Sequence, residues 1–505
     1  MAAGTAAAKE YNGGEIRQKE FGMESRKERT YDVIVAGGGP SGVAAAVAAA
    51  RYGCKTLIIE REACLGGMAA LAGVPAFGPY TNGETDLIGG IGREILENLK
   101  KECYISPFYD RKPDRIEGLD WFPIDPEILK RILDRMVKES GCEVLFHTVV
   151  TGVKMEGTKV TGAEVAGGEV SVTEAAAECS GRRISEVSVF NKGGAENISA
   201  EYFIDCTGDG DLAAFSGAEW QYGDENGRVQ AGTLCFRVAG IDVAQFMEYA
   251  DREGENGNLS VACEKAKRDG HFPLDEGKVG GFALEADGVA GLNFGHVYNL
   301  QPLNAWDLSR AEMEAREKLP EYVAFLREYV PGMERCVLVQ SGPYLGIRES
   351  RRICGLYTLT AEDYKNRADF PDSIAYYSYP IDMHASVPEE NRERDDVYRN
   401  SKYANGECYG IPYRSLIPKG FDNLAVAGRI ISADRAMMAS VRIMSACFAT
   451  GQAAGTAAAL CVRDMAEKRR KEDEQKAWAA GMSLAEVNTE RLRKELKTQK
   501  VYIKE

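Results

Sequence analysis

Histidine and tryptophan are scarce in this chain, at four residues each among 505. The histidines form no H-x-x-x-H pair and the thirteen cysteines no C-x-x-C, so structural zinc and iron–sulfur clusters lack a ligand pattern. A basic excess is also missing. Lys plus Arg total 62 against 77 Asp plus Glu, a net −15 that repels nucleic-acid phosphates and anionic membranes. No apolar core interrupts the first thirty residues, and no later run of about 18 apolar residues is expected to span a membrane, so a cytoplasmic setting is inferred. Cysteines such as Cys54, Cys206 and Cys461 sit among apolar neighbours and are read as buried free thiols of a reducing compartment.

Glycine, in contrast, is abundant, with 54 residues. The run DVIVA from Asp32 reads as a β-branched strand that enters GGGPSG, after which GVAAAVAAARYG reads as a helix of small residues and CKTLIIE as a second strand. Asp125 and Pro126 form an N-cap and N1 pair for PEILKRILDRMVKES, which Gly141 closes. Strand-like runs follow at EVLFH, VVTGV and KVTGAEV, then a Gly- and Ala-rich stretch over 166–200, then AEYFIDCTGDGDLAA. Residues 236–414 carry more charge and amphipathic helices such as SRAEMEAREKL. At Asn423 the buried pattern returns with NLAVAG and a single helix SVRIMSACFATGQAAGTAAAL, and Asn488 opens a charged last helix. The expected fold class is α/β: a Rossmann-like FAD-binding domain built from discontinuous segments, 31–235 and 415–470, around an inserted α+β substrate domain, 236–414. A flexible leader, 1–30, and a helical tail, 471–505, flank them.

Gly37, Gly39 and Gly42 form G-x-G-x-x-G between strand and helix. The first glycine permits the tight turn, the second lets backbone approach a pyrophosphate, and the third lets the helix pack on the strand. Glu60, 18 residues after Gly42 at the end of the second strand, is placed to accept ribose hydroxyls. NAD and FAD both fit this unit. FAD is long enough to need a second contact elsewhere in the chain, and AVAGR, ending at Gly428 and Arg429, with GQAAG, Gly451 to Gly455, offers one; tight helix packing is the alternative for GQAAG.

Together GGGPSG, Glu60, LGGMA, IDCTGDGD, GIRESRRICGLYTLT, YPIDMH, IPYRSLIPKGFDNLAVAGR and GQAAG resemble the FAD-dependent oxidoreductase family, a relative of glutathione-reductase-type flavoproteins and, more distantly, of fumarate reductase and succinate dehydrogenase flavoprotein subunits. The resemblance implies that Gly37, Gly39, Pro40, Ser41 and Gly42 line the diphosphate, with Glu60 and Arg61 at the adenosine. It implies Gly66, Gly67 and Met68 beside the flavin, Val149 and Val150 at adenine, and Thr207 and Gly208 near the ribose and diphosphate. Gly428 and Arg429 would contact the ribityl–diphosphate region, and the helix start near Ser445, ahead of Gly451, would face flavin N1 and O2, where a positive dipole end favours the anionic reduced ring.

The flavin carries the redox step, so the protein needs to hold a substrate carbon and manage one proton. His384 is the candidate proton acceptor or donor, with His296 a weaker one, and Arg348 or Arg352 the candidate anion clamp; Tyr376, Tyr377, Tyr379, Tyr409 and Tyr413 are read mainly as packing. No metal is expected. Cys64 lacks a partner at redox-disulfide spacing, and GDGDLA at 208–213 lacks the third glycine of a nicotinamide site. The expectation is an enzyme that dehydrogenates or reduces a small polar metabolite, with the electron acceptor unassigned and a homo-oligomer left open. A flavoprotein electron-transfer subunit acting with a partner protein is the alternative.

Overall fold

The computed structural model describes residues 30–106, 121–156, 161–162, 165–166, 169–170, 181–275, 279–390, 402–471 and 482–505. Residues 1–29 of the expected leader, part of KVTGAEV, part of the Gly- and Ala-rich stretch and residues 472–481 of the expected tail lie outside them. The rest of that stretch forms strands, Ile184–Asn191 and Gly194–Asp205.

Five parallel strands form the heart of an eight-stranded sheet, in the order Glu143–Leu145, Thr56–Ile59, Thr30–Ala36, Gly194–Asp205, Leu424–Val426. The first half of Gly194–Asp205 turns away to pair antiparallel with Ile184–Asn191, which pairs with Val149–Met155. Register matters more than order here. Ala36 lies level with Ile59 and Asp205, and Asp205 with Val426, so the residues that follow each strand emerge on one rim. Gly37, Glu60, Thr207 and Gly428 are those residues, at the carboxyl ends of the strands where open α/β sheets bind ligands.

The helix Pro40–Arg51 carries proline at its first turn, which suits the missing N–H there, and an alanine-rich body with high helix propensity. The helix Pro126–Ser140 is capped as its sequence predicts: the Asp125 carboxylate accepts from Glu127 N and Ile128 N, and Gly141 takes the left-handed conformation. The predicted helix from Ser440 is two helices, Arg435–Val441 and Met444–Lys471, with the break at Arg442. Met444–Arg470 is long and apolar enough to cross a membrane by composition, contrary to the sequence expectation, but 94% of its apolar window is buried inside the fold. Its partner is Pro40–Arg51. A Cβ on Gly451 would stand 2.0 Å from Ser41 O and one on Gly455 2.0 Å from Ala45 O, so both glycines are consumed by the crossing of these helices. Gly451, expected beside the cofactor, is a packing residue.

A second apolar core extends from Val229 to Leu345. It is built from the antiparallel sheet Gly281–Ala286, Val289–Asn293, Phe236–Ala239, Val337–Ser341 with the helices Val243–Glu253, Ser260–Asp269 and Ala305–Tyr329. Within 236–414, grouped together by charge, the described residues from Ile353 onward pack into the first core through Ile353, Leu359, Tyr377, Tyr409 and Tyr413.

The junction of the two cores holds a buried carboxylate. Glu349, with no exposed surface, accepts from Gln230 N at 3.0 Å, from Arg352 at 2.9 Å and from Arg435 at 3.0 Å. Arg352 also donates to Gly223 O at 3.2 Å. It is a partner of Glu349 rather than the anion clamp expected from sequence, because a carboxylate without solvent requires compensating charge.

Gly451→Ala is expected to destabilise the protein by about 1–3 kcal/mol and to reduce retained flavin, read by thermal unfolding and by the flavin absorbance left after gel filtration. Arg352→Met leaves Glu349 with one charged partner and is expected to cost about 3 kcal/mol in denaturant unfolding.

Candidate active site

The glycine loop is shaped by close contacts with strand ends. Gly37 has φ +93° and a Cβ there would stand 2.5 Å from Cys206 O; a Cβ on Gly42 would stand 1.8 Å from Gly37 O. Gly39 differs, since a Cβ there would meet nothing nearer than Gly67 Cα at 3.9 Å. Its exclusion of a side chain serves the space in front of the helix. Gly39 is also the N-cap of Pro40–Arg51 and supplies no side-chain cap, and no acidic residue occupies the first turn. The N–H groups of that turn and the positive dipole end are therefore available to a diphosphate, as FAD requires.

Around this cradle the other expected residues assemble. The Glu60 carboxylate accepts from Gly38 N at 2.6 Å and Glu62 N at 2.9 Å, and burial raises its pKa. Thr148 N donates to Glu60 O and His147 N to Glu62 O, which brings Val149 and Val150 beside the acidic residue. Arg61 pairs with Glu62, and Tyr344 of the inserted unit donates to the same carboxylate at 2.6 Å. Gly66 N donates to Gly38 O, fixing the turn Gly67–Ala69, and with it Met68, in front of the glycine loop.

Thr207 and Gly208 are held by Asp205, which sequence reasoning passed over. Asp205 accepts from Thr207 N and Oγ1 and from Ala213 N, is fully buried, and burial pushes its pKa up to about 6. Arg429 donates to Gly208 O at 2.6 Å, Ile347 O at 2.7 Å and Asp209 Oδ1 at 2.9 Å, so it ties the loop to the inserted unit. Gly428, at φ +84°, approaches Ser41 so closely that a Cβ would stand 2.6 Å from its hydroxyl. Ser445 lies in the first turn of Met444–Lys471, where its hydroxyl meets Tyr377 OH at 2.8 Å.

The chemistry-bearing side chains gather where three segments are stitched together. Ala231 N donates to Ala385 O, Gly232 and Val297 exchange hydrogen bonds, and Asn299 N donates to Ser386 O. This lattice sets His296 against His384, with His384 Nδ1 at 3.1 Å from His296 Nε2. His384 Nε2 lies 3.3 Å from Asp382 Oδ2, and His296 Nδ1 3.2 Å from Tyr298 OH. Arg442 donates to Asp382 Oδ2 at 3.1 Å from the break between the two helices. Burial opposes the Asp382 charge, but His384, Arg442 and Arg348 outweigh it and hold the carboxyl well below the usual range. Burial pushes His384 down to about 4, with the Arg348 charge adding to the effect. Arg348, which donates to Ala231 O at 2.7 Å, is thus the arginine whose field reaches this group, while Arg352 is turned to Glu349.

His296, the weaker sequence candidate, joins His384 directly. Tyr298, Arg442 and Gln230, whose side-chain oxygen accepts from His384 N at 3.0 Å, carried no motif signal; they are recruited by the stitching and by the helix break. Among the described residues no cluster of His, Cys, Asp and Glu is arranged to hold a metal ion.

The chain resembles known flavoproteins over nearly all of this framework. The FAD dependent oxidoreductase family matches residues 32–470. Two curated relatives are the tRNA uridine 5-carboxymethylaminomethyl modification enzymes MnmG of Geobacter sulfurreducens, 44% identical over 73 residues and 14% of this chain, and of Geotalea uraniireducens, 42% identical over 76 residues. In each case the chain spans only 11% of the relative's length. Among solved structures, p-nitrophenol 4-monooxygenase PnpA of Pseudomonas putida is 10% identical with a TM-score of 0.45, covering 94% of this chain and 91% of that one. A geranylgeranyl bacteriochlorophyll reductase-like protein of Thermoplasma acidophilum is 13% identical with a TM-score of 0.37, covering 94% and 92%. With a family match across residues 32–470, this chain belongs to the FAD-dependent oxidoreductases and is an enzyme of that family with FAD as its cofactor.

Proposed function

We propose that this enzyme dehydrogenates or reduces a small polar metabolite at its FAD, with His384 handling the proton and Arg348 orienting the molecule. Bound FAD supplies hydride exchange at N5. The observation that carries the reading is the Asp382–His384–His296 cluster, set beside Arg348 and close to the start of Met444–Lys471. His384, held neutral by burial and by Arg348, is a base ready at neutral pH without first losing a proton. Asp382, kept ionised by His384, Arg442 and Arg348 against its burial, fixes the orientation of the ring. Arg348 brings a permanent positive charge to the same place and suits a carboxylate, phosphate or polarised oxygen on the metabolite.

The reading includes a small-molecule substrate, a cytoplasmic setting and a diffusible acceptor, partner protein or oxygen to exchange electrons. The net −15 argues against carrying over an RNA substrate from the tRNA-modifying relatives, whose match covers 73 and 76 residues. The described cysteines are free, which suits a reducing compartment.

Anaerobic mixing with a panel of hydroxylated and carboxylated metabolites, followed by loss of the flavin absorbance near roughly 450 nm, is the direct test. His384→Ala is expected to keep FAD bound and to slow substrate-driven bleaching by about 10²-fold; unchanged bleaching would remove His384 from the reaction. In the wild type, His384 stays neutral as pH falls through the ordinary histidine range and protonates only near about 4. The bleaching rate is therefore expected to show no loss attributable to this group between neutral pH and roughly pH 5. A stopped-flow pH profile with an inflection near roughly 6.5 that vanishes in His384→Ala would contradict the assignment.

A further inference from the structure

The strand Val337–Ser341 lies at the edge of the inserted sheet, and residues 342–347, which form neither helix nor strand, leave it and cross the cofactor-binding unit. They are anchored in the inserted unit. Gly342 N donates to Cys235 O at 2.8 Å, Leu345 N to the Glu312 carboxylate on the helix Ala305–Tyr329, and Gly346 N to Thr233 O at 2.7 Å. From those anchors the segment reaches three loops of the other unit. A Cβ on Gly342 would stand 2.5 Å from Ala72 O, so a bare main chain is needed to lie against a residue whose own N–H donates to Met68 O. Tyr344 OH donates to Glu62 Oε2 at 2.6 Å, and Ile347 O accepts from Arg429 at 2.7 Å.

Glu62 is thereby gripped on both oxygens. Its Oε1 lies 3.0 Å from Arg61 Nε, and the Arg61 guanidinium stands 6.0 Å from the centre of the Tyr344 ring. Burial, with the Glu62 hydrogen bond and charge adding to it, pushes the Tyr344 hydroxyl up to about 12, so it stays a donor at ordinary pH. Burial opposes the Arg61 charge, but Asp209, Glu62, Asp211 and Glu60 outweigh it and raise its pKa, which sets the guanidinium between the strand-end carboxylates and the loop that carries Gly208. We propose that the inserted unit is part of the FAD site: Tyr344, acting through Glu62, fixes Arg61 against the adenosine half of the cofactor, so the clasp formed by residues 342–347 sets how long FAD stays bound. Tyr344 and Glu62 are positioning residues. Holding Glu62 from two sides restrains Arg61 before the cofactor arrives, and less side-chain freedom is then lost on binding. A hydrogen bond to a carboxylate is among the stronger ones, and this one joins the insert to the end of the second parallel strand. The inference is independent of which group moves the proton.

The test follows FAD release from diluted holoenzyme by the fluorescence of the freed flavin. Tyr344→Phe deletes one hydroxyl and is expected to speed release about 10-fold, the size of one hydrogen bond to a charged group. The visible flavin band of the undiluted enzyme is expected to stay where it is, because the clasp acts at the adenosine end. Two further variants separate this role from a general loosening. Tyr249→Phe removes a hydroxyl–carboxylate bond of the same kind, to Glu255, that stays inside the inserted unit, and is expected to leave release at the wild-type rate. Glu62→Ala is expected to release FAD at least as fast as Tyr344→Phe, and adding Tyr344→Phe to it is expected to change nothing more, since the acceptor is already gone. Wild-type release in Tyr344→Phe, an equal acceleration in Tyr249→Phe, additive effects in the double variant or a shifted flavin band would each overturn the clasp.

Discussion

The closeness of two helices, Pro40–Arg51 and Met444–Lys471, governs the rest of the molecule. Side chains at Gly451 and Gly455 would collide with the main chain at Ser41 and Ala45, so the contact exists only because those positions lack a Cβ. The approach seats Gly428 against Ser41, and strand register sets Leu424–Val426 beside Gly194–Asp205. Five loops from distant parts of the sequence consequently share one rim, and neither half of the cofactor cradle is complete without the other.

Upon that rim the electrostatics are arranged in layers. The cradle uses uncharged means: an uncapped helix end and a glycine that keeps a space open. Ion pairs such as Arg429 with Asp209 and Arg352 with Glu349 join loops and core junctions, while the buried carboxylates Glu60 and Asp205 are met by main-chain N–H groups. Ion pairs of this buried kind specify geometry more than they add stability. The histidine cluster stands apart, because there His384 with the arginines Arg442 and Arg348 keeps Asp382 charged, and Arg348 adds to the burial that keeps His384 neutral. A neutral base beside a permanent anion is a poised arrangement at ordinary pH.

Much of the cradle was legible because its constraints are local. A positive φ at Gly37, a proline at the first helical turn and an acidic residue at a strand end each leave a mark within a few positions. GQAAG was ambiguous for a physical reason: a glycine that admits a ligand and one that admits a helix look alike until the neighbour is known. Arg348 and Arg352 were equally hidden from pattern reading. They lie four residues apart on either side of the start of a short strand, and their different partners, Ala231 and Glu349, come from the fold. Asp205 and Arg442 were missed since their work is done through main-chain groups and a helix break that no spacing encodes. Charge content likewise misplaced the described residues from Ile353 to Arg414, whose buried tyrosines and aliphatics belong to the first core.

The split assembly also sets a timetable for the nascent chain. The strand ending at Ala36 waits for the strand beginning at Leu424 and the helix beyond it before its glycine loop faces a finished cleft. At roughly 5–20 residues per second, the interval between those two strands is on the order of 20–80 s of synthesis. During that time the inserted unit, with its own core, has everything it needs to fold first. Cofactor loading therefore waits for the helix Met444–Lys471, and until that helix leaves the ribosome the α/β sheet lacks one of its covering partners.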